Sequence, residues 1–131
     1  MIEQSISLIR KFETYRKFPS RNKFGFLRIG YDHPLCLSER KAFLLLKEDI
    51  QFISELLKQE GLPVNPGLIS LIHQIGIITF KKSKLRKALE SGDFEAVKKA
   101  FMSWSKINGV TDPELYQRRA NELAYLENGA A

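Results

Sequence analysis

Glu13 is the residue of this sequence best placed to move a proton. It closes an apolar-periodic segment, Ile2, Ile6, Ile9 and Phe12, and a polar, basic run follows it. After that run comes a strand-like piece, Phe26 to Tyr31, closed by Asp32-His33. A glutamate where a helix gives way to a small irregular sheet can stand between the two walls of a cleft. Partial desolvation there raises a carboxyl pKa into the range of a general acid. In any other setting the same side chain is a solvated or Arg-paired surface group. Asp32 is the other acid close by in sequence, an alternative acid for the same site. His33, His73 and the single Cys36 offer no metal-ligand spacing, so neither a metal nor a cofactor is expected.

The elements that must position Glu13 can be read from periodicity. The first dozen residues have the three- and four-residue steps of an amphipathic helix. Pro19, Ser20, Asn22 and Gly25 break regularity, and Phe24, Phe26, Ile29 and Tyr31 then predict short strands. Ser38 is an N-cap for a long helix from about Glu39 to Gln59, whose stripe of Ala42, Leu45, Leu46, Ile50, Ile53, Leu56 and Leu57 has helical spacing. Gly61 and Pro63 end it. Asn65-Pro66 caps and opens an apolar stretch, Leu68 to Ile78, in which His73 is expected to be a satisfied core histidine. Asp93 caps a helix whose Phe94, Val97, Phe101 and Trp104 share one face, and Thr111-Asp112-Pro113 starts the last helix. The tail from Asn128 to Ala131 is expected to fray.

Several of these stretches resemble one family. Phe12-Glu13-Thr14 and Arg28-Ile29-Gly30-Tyr31-Asp32-His33 resemble the phenylalanine-glutamate-glycine and T-I-G-Y-G-H motifs of the T4-type phage lysozymes and endolysins, glycoside hydrolase family 24. The spacing is that of the family, with His33 twenty residues after Glu13. Phe80 to Leu85 resembles its F-x-x-S-T-L segment and Ser91-Gly92-Asp93 its N-x-G-D turn. Leu115 to Glu122 resembles its G-L-x-x-R-R-x-x-E run, with Glu114 in place of the glycine. The resemblance spans roughly Ile6 to Leu126. It implies an α+β, mainly helical, lysozyme-like fold in a single domain over residues 1–131. Its parts would be a small N-terminal β-sheet lobe at about 13–37, a long connecting helix and a C-terminal helical lobe.

The resemblance also implies a chemistry. Glu13 takes the position of the acid that protonates the glycosidic oxygen. The family's Asp falls on Asn22 and its Thr on Arg28. Metal-free glycoside hydrolysis ordinarily uses two carboxylates. An amide binds protons negligibly at neutral pH, and a guanidinium is bulky, donor-only and permanently charged. Arg28 could also pair with Glu13. The function implied is a muramidase-type domain directed at bacterial peptidoglycan, hydrolysing the β-1,4 bond between N-acetylmuramic acid and N-acetylglucosamine, with activity weakened or lost. The competing class is an inactive pseudo-lysozyme that binds glycan or a protein partner. By the family pattern His33 packs beside an Asp of the long helix, and Asp49 holds the matching position, so a structural pair His33–Asp49 is implied.

Composition narrows the partners. At 131 residues with 44% hydrophobic and 27% charged residues, the chain reads as an ordinary globular domain with a core of its own. A formal charge of +6 suits an acidic partner, which could be nucleic acid, an anionic cell wall or a membrane surface, or simple solubility. Lys81, Lys82, Lys84, Arg86, Lys87 and the pair Arg118-Arg119 could meet phosphates, but no nucleic-acid-binding signature accompanies them, and nucleic acid is not expected. No apolar run is long enough to span a membrane, and a lone cysteine forms no internal disulfide. The start, MIEQSISLIRKF, lacks the pattern of a signal peptide. The expectation is a protein made in the cytoplasm that acts at the wall only when released or exported by another system.

Overall fold

The computed structural model describes residues 1–129. The chain clusters into two compact units, Met1–Leu45 and a second beginning at Leu46.

The first unit starts with α1, Ile2–Phe12, and continues into a three-stranded antiparallel sheet of order β1-β2-β3, formed by Arg16–Arg21, Leu27–Gly30 and His33–Pro34. The basic run after Glu13, expected to be irregular, is therefore strand β1. It is an edge strand with a register shift between Arg16 and Ser20. Edge strands and bulges are where a proline fits in a sheet, which is how Pro19 is accommodated. The β1–β2 turn is organised by Asn22. Its backbone N–H donates to the Phe26 carbonyl at 2.9 Å, and Gly25 N–H donates to the Asn22 carbonyl at 3.0 Å. Gly25 has φ 83, a left-handed conformation that glycine adopts without a steric penalty. No residue of this unit is fully buried.

Ser38 caps α2, Glu39–Gln59, by accepting from Lys41 N–H at 3.2 Å, as the sequence predicts. The helix ends where Leu62 N–H reaches back to the Leu57 carbonyl at 2.9 Å, with Gly61 at φ 69.

In the second unit α3 (Pro66–Ile75) begins at Asn65, whose side chain accepts from Gly67 N–H at 2.9 Å and donates to the Tyr125 carbonyl at 3.0 Å. Gly76, at φ 90, separates α3 from α4 (Ile77–Lys81), so the apolar stretch is two helices and not one. Ser83 and Asp93 cap α5 (Lys84–Ser91) and α6 (Phe94–Met102). A 3-10 turn at Ser103–Ser105 leads to a hairpin of β4 (Lys106–Ile107) and β5 (Val110–Thr111). Its Asn108-Gly109 loop has φ 51 and 80, the geometry this residue pair favours between two short strands. Asp112 then caps α7, Pro113–Gly129, by accepting from Leu115 N–H at 2.9 Å. Asn128 and Gly129 belong to this helix, against the expectation of fraying from Asn128. The rest of that expected tail, 130–131, lies outside the described residues.

The core of this unit gathers Ile53 and Leu57 of α2, Leu68, Leu71 and Ile72 of α3, Phe80, Leu85, Val97, Phe101, Leu123 and Leu126. Each buried Leu or Phe contributes about 1.5–3 kcal/mol of burial free energy. α3 meets α7 at Gly67, where a Cβ would stand 1.9 Å from the Glu122 carbonyl oxygen. Only glycine permits that approach. Arg119 and Glu122 are buried together beside it, and Glu122 also accepts from Arg118 Nε at 3.1 Å. Burial lowers the Arg119 pKa from its ordinary value; the Glu122 carboxylate opposes that shift, and Arg118 adds to it.

Candidate active site

Glu13 is the residue immediately after α1. Its backbone leaves the helix with φ −106 and ψ 129 while its N–H still donates to the Ile9 carbonyl at 2.8 Å. The side chain is half-buried and joins no ion pair among the described residues. Two aromatic contacts set its neighbourhood. The Tyr15 ring lies 5.9 Å from the Tyr31 ring, and the Arg10 guanidinium lies 5.6 Å from the centre of that same ring. Residues on both sides of Glu13 thus pack on Tyr31, which brings the end of α1 to the β2–β3 turn.

Asn22, Arg28 and Asp32 meet in that part of the unit. The Asn22 side-chain oxygen accepts from Phe24 N–H at 3.0 Å and from Phe26 N–H at 3.1 Å. Its amide nitrogen donates to Asp32 Oδ1 at 3.0 Å. Arg28 Nε lies 3.8 Å from the same oxygen, and the guanidinium stacks 5.4 Å from the Phe26 ring centre. Among the described residues Asp32 is the carboxylate within 4 Å of Arg28, which corrects the expectation of a pairing with Glu13. Asp32 itself sits at φ 60, in the left-handed region that glycine favours and that, among other residues, Asn, Asp and His enter most readily. That Asn22 organises the turn was legible in the sequence as an Asx-turn ahead of Gly25. Its bond to Asp32 was not, because ten residues separate the two.

Other expected roles resolve differently. His73 is exposed and not a core histidine: its Nε2 lies 3.2 Å from Asp49 Oδ2, a contact between α3 and α2. His33 Nε2 is buried and has no hydrogen-bond partner. Arg119 offers nothing to a phosphate, being only 1% exposed and engaged with Glu122, while Arg118 donates to Glu122 and to Ser70. Among the described residues no group of three or more His, Cys, Asp or Glu could hold a metal ion.

A helical protein with a small antiparallel sheet after its first helix, and a glutamate at their junction, is built as lysozymes are. The phage lysozyme family model matches residues 10–122, and this chain belongs to that family. It is 31% identical to the endolysin of Acyrthosiphon pisum secondary endosymbiont phage 1, a match covering 96% of this chain and 97% of that protein. The endolysin of Bacillus phage B103 is 30% identical over 97% of this chain, which spans 54% of that longer protein. Among solved structures, the muramidase domain of SpmX from Asticaccaulis excentricus aligns with a TM-score of 0.56 at 25% identity, covering 93% of each chain. The endolysin from Escherichia coli O157:H7 phage FAHEc1 shares the fold, with a TM-score of 0.56 at 22% identity, over 95% of this chain and 92% of that one. The expected mainly helical, lysozyme-like fold is thereby established.

Proposed function

We propose that this chain is a muramidase-type domain that engages bacterial peptidoglycan and cleaves its β-1,4 bond between N-acetylmuramic acid and N-acetylglucosamine slowly. Glu13 is the acid that protonates the leaving oxygen. The observation that carries the reading is Glu13 at the end of α1, half-buried, without an ion-pair partner among the described residues and flanked by the Tyr31 contacts. The low rate follows from Asn22, which stands at the second-carboxylate position of the resembled motif. Its oxygen is occupied by two backbone N–H groups and its nitrogen by Asp32, so it is not free to orient water. General-base assistance is ordinarily worth ~10²–10⁴-fold, so a site without a carboxylate at that position works below a full two-carboxylate rate. No helix of the described residues is long and apolar enough to cross a membrane, and the wall would be reached after release or export by another system.

The test is reducing-end release from purified cell walls by the native chain and by Glu13→Gln. Slow release by the native chain that disappears in Glu13→Gln is the expected result. Release that persists in the variant would refute the role of Glu13. A second reading, a glycan-binding domain without hydrolysis, is favoured by Asn22 and Arg28 themselves. Pelleting with walls but no reducing ends would decide for it.

A further inference from the structure

We propose that Asp32 is the second carboxylate of this site, the base that takes a proton from the attacking water, and that Asn22 is its positioning residue. The inference rests on the muramidase reading above and assigns roles within it. Asp32 stands where the resembled T-I-G-Y-G-H motif has its second glycine, and the backbone keeps the left-handed φ of 60 that suits glycine. Aspartate is among the few side chains that adopt this conformation, so the change from glycine puts a carboxylate there without disturbing the turn. The carboxylate is held at one oxygen only. Oδ1 accepts from Asn22 at 3.0 Å and lies 3.8 Å from Arg28 Nε, whereas Oδ2 takes no hydrogen bond among the described residues. With its side chain 30% exposed, Asp32 is open to water.

Asn22 is fixed in the orientation this requires. Two backbone N–H groups lock its oxygen, so its amide nitrogen must face Asp32. An aspartate at 22 would present a second carboxylate to Asp32 at the same 3.0 Å. Arg28 completes the arrangement as the cation beside the relocated acid. The departures at 22, 28 and 32 are then one coupled change: the negative charge has moved from one side of the hydrogen bond to the other. In the reaction, Glu13 gives its proton to the glycosidic oxygen as the C1–O4 bond breaks. Water bonds to C1 and its proton passes to Asp32. One water is consumed per bond, and proton exchange with solvent resets both carboxyls.

The experiment measures kcat and KM for reducing-end release from purified glycan strands, with pelleting on whole walls alongside. Asp32→Asn, which keeps the acceptor for Asn22, and Asp32→Gly, which relieves the backbone, should each lower kcat about 100-fold with KM little changed. Asn22→Asp alone should lower kcat, while Asn22→Asp combined with Asp32→Gly and Arg28→Thr should raise it above native. That reversal of sign is something a purely structural Asn22 would not produce. Native kcat in a folded Asp32→Asn or Asp32→Gly protein overturns the role of Asp32. A gain from Asn22→Asp with Asp32 intact overturns the role of Asn22. A native chain that pellets with walls yet releases no reducing ends overturns this inference and leaves peptidoglycan binding standing. One that neither pellets nor cuts overturns both.

Discussion

From Leu46 on the chain is held by apolar packing, and the Arg119–Glu122 ion pair is buried where α7 meets α3. Up to Leu45 it is held by a few directed polar contacts and by rings that remain largely exposed. In the first case Leu57, Leu68, Leu71, Phe80 and Phe101 are wholly removed from water, and Arg119 and Glu122 are nearly so. In the second, the Asn22 carboxamide, the Tyr15–Tyr31 contact and short strand pairings supply the order, and Phe24 is 83% exposed. The candidate acid and the three altered positions all fall in the first unit. Sites that must admit a substrate are drawn from the less stable parts of a fold. The exchange proposed for Asn22 and Asp32 is also cheaper to accommodate there, because little packing depends on it.

That contrast can be broken by substitution. The largest stability loss is expected for Glu122→Ala, which leaves Arg119 as an uncompensated buried charge and should cost about 3–5 kcal/mol in denaturant unfolding. A loss below about 1 kcal/mol would mean that water reaches Arg119 and that the second unit is less closed than its burial implies. Gly67→Ala forces a methyl group to within 1.9 Å of the Glu122 carbonyl, so α3 and α7 must separate. Overpacking of this kind costs about 1–3 kcal/mol or more, read in the same assay. Asn22→Ala removes the acceptor for two turn N–H groups and should cost about 1 kcal/mol, comparable to a lost cap. Its hydrogen exchange should quicken in β1 and β2 and stay native in α3 and α7; a global change would unite the two units into one cooperative block. Phe24→Ala should shift unfolding by no more than about 0.5 kcal/mol, since its ring is already in water.

Much of this molecule was legible before any coordinates. Helical spacing with caps at Ser38, Asn65, Asp93 and Asp112 fixed the main helices, because caps and periodicity are local in the chain. Motif order along the chain was enough to indicate the family. The Asn108-Gly109 pair was an equally local signal for the β4–β5 hairpin and was open to reading. The basic strand β1 was harder, since Pro19 and a run of charges argue against a strand unless it is known to lie at a sheet edge.

Tertiary structure decided what depends on contacts across distance in sequence. Arg118 and Arg119 are adjacent residues of like charge, yet the helix turns Arg119 inward to Glu122 and leaves Arg118 to reach Ser70. His73 sits in an apolar run, but its ring points to Asp49 on another helix. Asn22 reads in sequence as a lost acid and in space as the holder of a different one, Asp32, ten residues on. The sequence by itself determined the helices, the family and the place of Glu13. Which polar groups are buried, paired or free was decided only when the chain folded, because desolvation and hydrogen bonding are set by neighbours that the local sequence does not specify.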